Sequence, residues 1–280
     1  MSALRGEPAG FVAGISWLPP GTLGCGDGIG DGAESLAATV RELELDFAFV
    51  PAEEPWAADA VERVHDAGAV ALWAVSGVLG RLGSRLGWTE ALRLSAAQPE
   101  VLVGPLAEAL HRALVSARAG SAAGADLVLV ADDLAGAAGP LVSPDFALDA
   151  LMPCYRSIAA AVFGQGTPAA FHSDGDVRTL MPSLARAGFS ALHLAGITPE
   201  SLGASIDAAH AAGLAALGGV VAVSLGDDPE VAGRRAGREA RQRRLLVCDD
   251  GGLATAEDVA AYKRALKAAR TAYSEEGSGS

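Results

Sequence analysis

The sequence predicts a single (β/α)8 barrel, and three observations carry the prediction. Eight short apolar runs recur along the chain, helical patterns separate them, and the 280 residues fit one such unit. Barrels of this kind run to about 250 residues and enclose a filled core. A regular βα alternation calls for a parallel sheet, and eight units are the number that closes it. The expected organisation is one barrel over 1–273 and a disordered Ser/Glu/Gly tail over 274–280.

The strand candidates are Phe11 to Trp17, Asp46 to Val50, Ala69 to Val75, Asp126 to Ala131, Pro168 to Phe171, Ser190 to Leu194, Ala215 to Val223, and Leu245 to Cys248. None alternates cleanly between apolar and polar residues. That is expected where both faces of a parallel strand are covered. The helical candidates are Asp31 to Leu45, Glu54 to Ala67, a long Thr89 to Ala119, Pro144 to Phe163, Asp176 to Ala187, Pro199 to Ala212, Pro229 to Arg243, and Thr255 to Ala269. Ser143, Thr198 and Asp228 each precede a proline, a capping side chain before a residue suited to the first helical position. Gly68, Gly188 and Gly213 follow helices where a left-handed C-cap is wanted. The alternative, a doubly wound open sheet, would carry a phosphate loop after its first strand. The Gly21 to Gly28 segment has Gly-X-Gly spacing but no Gly-X-Gly-X-X-Gly or Gly-Lys-Ser/Thr arrangement.

Composition narrows the partners. The chain is 50% hydrophobic and 20% charged, with a formal net charge of −13. That charge repels phosphate backbones and anionic lipid, so nucleic acid and membrane are discounted as partners and a small-molecule substrate is expected. The basic run Arg234 to Arg244 has the spacing of a solvated helix face. Cys25, Cys154 and Cys248 are odd in number and irregular in spacing, which argues against a disulfide framework. Pro19-Pro20 and a Gly-rich loop follow the first apolar run in place of a signal-peptide cleavage region, so a cytoplasmic protein is expected. Oligomeric state is not readable.

In such barrels chemistry sits where strands end and βα loops begin. Those positions are acidic here, among them Glu53, Asp132, Asp133, Asp174, Asp176, Asp249 and Asp250, against few basic groups, chiefly Arg81, Arg85 and Arg178. The fifth strand ends Phe171-His172-Ser173-Asp174-Gly175-Asp176. An imidazole and a carboxylate two residues apart can bind a metal or pass protons. A helix-capping role is the expectation for Asp176. Adjacent Asp132 and Asp133 end the fourth strand, where repulsion favours one proton held near neutrality, suited to acid/base work. Cys248 ends the eighth strand on the same rim, either as a reactive thiol or as a small buried hydrophobe. Trp17, Glu53, Ser76, Tyr155 and His193 are the expected substrate-binding residues, and His172, Asp174, Asp132 and Asp133 the expected catalytic ones.

These segments resemble the uroporphyrinogen decarboxylase superfamily, which includes corrinoid-dependent methyltransferases. The likeness is carried by 45–51, by Asp132-Asp133-Leu134-Ala135-Gly136, by Gly139 to Pro144, by the following helix with Pro153 and Tyr155, and above all by His172-Ser173-Asp174-Gly175-Asp176. They fall in order over roughly residues 40 to 260. The resemblance implies a (β/α)8 barrel and, for the methyltransferases, zinc held by His-X-Cys on the fifth strand and a distant Cys on the last. Here it implies His172, Asp174 and Cys248 as ligands, with Asp174 in place of the first Cys. Carboxylate for thiolate makes the site harder. The decarboxylases carry arginines after the first strand that grip substrate carboxylates, and this loop has none. The leading expectation is therefore zinc-assisted methyl transfer with a corrinoid-carrying partner protein. Decarboxylation of a tetrapyrrole or small acid through Asp132 or Asp133, and a non-catalytic barrel that binds a corrinoid or tetrapyrrole, are the alternatives.

Overall fold

The computed structural model describes residues 10–16, 32–136, 139–220, 228–251, 253 and 255–275. Eight parallel strands form one sheet in chain order: β1 (Gly14–Ile15), β2 (Phe47–Pro51), β3 (Val70–Ser76), β4 (Leu127–Ala131), β5 (Ala169–Asp174), β6 (Ala191–Ala195), β7 (Ala215–Val220) and β8 (Leu246–Asp249). A parallel bridge between Ala13 and Val247 joins last to first, so the sheet curls into the expected (β/α)8 barrel. Each strand lies within two or three residues of its sequence-predicted run, except that only two residues of the first run are strand and that Trp17 lies outside the described residues.

Parity along the strands sorts the core. Phe47, Phe49, Leu72, Ala74, Leu127, Leu129, Ala170, Ala191, Leu217, Leu246 and Cys248 form a cluster inside the barrel. Their neighbours, such as Ala48, Val50, Trp73, Val128, Phe171 and Val247, pack outward against the helices. Both parities are apolar because both faces of a parallel sheet are covered.

The helices are α1 (Gly32–Leu43), α2 (Ala57–Asp66), α3 (Val78–Leu86), α4 (Trp88–Ala97), α5 (Val103–Ala122), α6 (Pro144–Phe163), α7 (Met181–Ala187), α8 (Leu202–Ala211), α9 (Pro229–Arg243) and α10 (Ala256–Glu275). Two of the proline caps form as expected: Ser143 Oγ accepts from Phe146 N at 3.2 Å and Asp228 Oδ1 from Glu230 N at 2.9 Å. Gly68, Gly188 and Gly213 take positive φ after α2, α7 and α8.

Several expectations are corrected. The long Thr89 to Ala119 helix is two helices, broken at Gln98-Pro99, where proline cannot continue the backbone ladder and a 3-10 turn intervenes. A further helix, α3, precedes them. Inside α6 the turn Ala147–Leu151 is π-helical, just ahead of Pro153, whose missing N–H would otherwise bond Asp149. α6 has the length and apolarity of a membrane span, yet Phe146, Leu151, Tyr155, Ile158 and Val162 are buried in the molecule. α7 starts at Met181 and not at Asp176, because Asp176 instead bonds Arg178 within its own loop. α10 runs on to Glu275, so the first two residues of the expected tail are helical.

Candidate active site at the barrel mouth

At the C-terminal ends of the strands the ladder places Ser76 beside Ala131, Ala131 beside His172, and His172 beside His193. His172 and Asp174 share one parity of β5, and Gly175 then turns the chain. Gly175 has φ +76°, and a Cβ there would lie 2.4 Å from the Gly136 carbonyl oxygen, so only glycine fits. Asp133, from the loop after β4, accepts the Asp174 backbone N–H at 3.1 Å. Asp133, His172 and Asp174 thereby bring one potential ligand atom each to within 4.8 Å of one another. His172 Nε2 lies 3.6 Å from Asp133 Oδ1 and 3.9 Å from Asp174 Oδ1.

Beneath this group a hydrogen-bonded chain decides the state of His172. His193 is fully buried, with its ring edge-on to Phe49 at 5.1 Å. Its Nε2 lies 2.8 Å from the Asp249 carbonyl oxygen, which can only accept, so that nitrogen carries the proton. Burial keeps the ring neutral, with its pKa lowered to about 3, and Nδ1 is therefore an acceptor. His172 Nδ1, 2.9 Å away, must be the donor. Desolvation lowers the pKa of His172 to about 4, so it too is neutral and its unprotonated nitrogen is Nε2, on the side of Asp133 and Asp174.

The carboxylates at the rim raise one another. Partial burial and the charges of Asp133 and Asp250 lift Asp174 to about 6.

Other expected site residues have different duties. Asp132 is buried, and its carboxylate accepts from Leu79 N at 2.7 Å, Gly80 N at 2.6 Å and Tyr155 Oη at 2.6 Å. Burial outweighs these donors and raises its pKa to about 6. Asp132 thus anchors the N-terminus of α3. Gly77 makes room for it, since a Cβ there would lie 2.3 Å from the carboxylate. Tyr155 is fully buried against Phe171, so neither it nor His193 offers a surface to a ligand. Cys248 is a correction of another kind: its thiol is fully buried inside the barrel, 3.6 Å from Asp249 Oδ1. Burial and that carboxylate push its pKa well above the ordinary range. It stands outside the Asp133, His172 and Asp174 cluster. Asp249 is spent on barrel closure: Oδ1 accepts Ser16 N at 2.7 Å, and Oδ2 accepts Gly251 N at 3.0 Å and the Ser16 hydroxyl.

Glu53 and Ser76 line a cavity of about 490 Å³ between α3 and α5. Sequence reasoning placed Asp133 among catalytic residues but not among potential metal ligands, and it expected His193 to bind substrate, where His193 instead bonds Asp249 O and His172 Nδ1. Its place two residues past the β4 end was the available signal for Asp133.

The fold and this mouth define a (β/α)8 barrel with a His/Asp cluster where such proteins carry their chemistry. No protein-family model matches the chain, and no curated protein matches it. Among solved structures it is similar to a methyltransferase from Methanosarcina mazei, with 17% identity, a TM-score of 0.67, and 98% of this chain and 97% of that one covered. It is also similar to a D-psicose 3-epimerase from Clostridium cellulolyticum H10, with 10% identity, a TM-score of 0.56 and coverage of 94% and 98%. A third similarity is to tryptophan synthase from M. tuberculosis, with 14% identity, a TM-score of 0.53 and coverage of 92% of both chains.

Proposed function

We propose that the protein is a metal-dependent barrel enzyme of the uroporphyrinogen decarboxylase type, acting in methyl transfer, with Asp133, His172 and Asp174 as ligands to zinc. One observation carries the metal: the lone pair of a neutral imidazole is on the same side as two carboxylates 3.6 and 3.9 Å away. Electron pairs converging in this way repel unless a proton or a cation lies among them. A donor set of one imidazole nitrogen and two carboxylates suits zinc with a fourth position open to water or substrate.

Zinc so held would supply positive charge that lowers the pKa of a coordinated thiol or water. The chain does the rest. Asp249 and His193 fix the tautomer of His172, and the Asp174 N–H orients Asp133. The full-length likeness to a methyltransferase and the His-X-Asp on β5 support methyl transfer, with a corrinoid-carrying partner as donor. Decarboxylation through Asp132 is the weaker reading, because three donors already occupy that carboxylate.

Protein purified without chelators should contain close to one zinc per chain by elemental analysis. His172→Ala and Asp174→Asn should lose it, and Cys248→Ser should keep it. Full occupancy in His172→Ala, or no metal in the parent, would overturn the reading. Zinc at a hundred times its Kd should also raise the melting temperature: about 2.7 kcal/mol of linkage corresponds to roughly 5 °C for a chain of this size.

A further inference from the structure

The cavity between α3 and α5 differs in charge from the rest of the molecule. In a chain of net charge −13, its lining carries three guanidinium groups, Arg81, Arg85 and Arg112, against two carboxylates, Glu53 and Glu108. That leaves one net positive charge in a concave site beside an acidic mouth. Leu82 and Ala109, both buried, lie along its apolar wall.

The arginines divide by position. Arg81, at the end nearest the barrel, is mostly buried and held: its Nε donates to the Ser76 carbonyl at 3.0 Å and its Nη2 to Glu53 at 3.0 Å. Arg85 and Arg112 share a single carboxylate, that of Glu108. Arg112 Nη2 donates to it at 2.9 Å, and Arg85 Nη1 also bonds it. Each guanidinium has five N–H donors, so this pairing leaves most of the donors of both groups for another acceptor. Two guanidinium groups on one carboxylate match the geometry of a second oxyanion bound in fork fashion.

We propose that this cavity is a subsite for an oxyanion of the substrate, a carboxylate or a phosphate, held by Arg85 and Arg112. It rests on the reading of the His172 cluster as the reacting centre. Ser76 lies in one hydrogen-bonded row with Ala131 and His172, two strands away. At about 4.8 Å per strand that is roughly 10 Å of backbone. The ligand class is therefore an elongated acid, anchored between α3 and α5 and reacting over β5. The acidic mouth itself would repel a polyanion, so the acid carries its charge at one end.

The test uses the full chain, titrated at low salt with inorganic phosphate and, separately, with the monocarboxylate butyrate, followed by calorimetry. Saturable binding of one or both is expected, and which one binds assigns the anion. The pair Arg85→Ala/Arg112→Ala should weaken it about tenfold or more, the loss expected for charge-assisted hydrogen bonds of 1.5–3 kcal/mol. A control pair of equal charge change on α9, which follows a strand four places away in the sheet, Arg234→Ala/Arg238→Ala, should leave it unchanged. Zinc content should be unaffected in Arg85→Ala/Arg112→Ala, and anion binding unaffected in His172→Ala, so the two readings fail separately. Absence of saturable binding, an unchanged constant in Arg85→Ala/Arg112→Ala, or an equal loss in the control pair would overturn the subsite.

Discussion

At the scale of single residues, the informative one is a histidine that touches no solvent. His193 spans Asp249 O and His172 Nδ1 with two ring nitrogens, and a glutamine amide offers a donor and an acceptor at a similar separation. His193→Gln is thus expected to retain zinc affinity, because it can donate to Asp249 and accept from His172. His193→Leu removes both bonds and should weaken zinc about 10- to 100-fold, the usual effect of losing a ligand's orienting partner. Competition with a chromophoric chelator measures both. The same pair sets an acid limit in zinc-free protein. His172 and His193 titrate near 4 and 3 when folded, below the ordinary 6.5, so between pH 6.5 and 4 the unfolded chain takes protons that the folded one refuses. Their contribution to stability is complete above pH 6.5 and is lost on acidification. Asp132 and Asp174, raised to about 6, act with the opposite sign between about 4 and 6. Removing His172 removes one of the two histidine contributions, so melting curves of His172→Asn should lose less stability than the parent on acidification from pH 6.5 to 4.

At the scale of elements, α3 shows how a residue expected to do chemistry can instead do architecture. Asp132 receives two amides from the first turn of α3 and a phenol from α6, joining three elements through one carboxylate. Tyr155→Phe leaves the ring packing intact but removes one donor to a buried charge. It should destabilise by about 1.5–3 kcal/mol in urea unfolding. The strands were legible in the sequence because a two-sided apolar run is a strong signal, and the caps at Ser143 and Asp228 were legible because their chemistry is local. α3 was not, since Gly80 and Gly83 blur its period and its start depends on a carboxylate 52 residues away. The inward turn of Cys248 was hidden for the reason that made β8 easy to find. Where both parities are apolar, the pattern does not say which side faces in. His172 and Asp174 were found because polar residues in such a run stand out. Asp133 and Asp132 are neighbours of like charge, and nothing in their types says which one the helix takes.

At the scale of the whole molecule, the barrel is closed by its thinnest element. β1 contributes two residues and one further bridge at Ala13, and Asp249 fastens it through Ser16 across 233 residues of chain. The Tyr262 hydroxyl adds a bond to the Gly14 carbonyl from 248 residues away. Seven of the strands, by contrast, lie beside their predecessor in the chain. Contacts between neighbouring βα units close short loops, while this seam requires the two ends of the sequence to meet. The order of assembly follows: an open, seven-stranded intermediate should form first, and the chain ends should meet in the final step. Pulse-labelling hydrogen exchange during refolding should find the amides of Gly14 to Ser16 protected after those of β3, β4 and β5. Asp249→Ala should lengthen that last phase without slowing the earlier one, whereas simultaneous protection of all strands would show that the barrel closes as it forms. A fold that joins last at one seam also opens first there, so the lifetime of the closed barrel is set where its two chain ends meet.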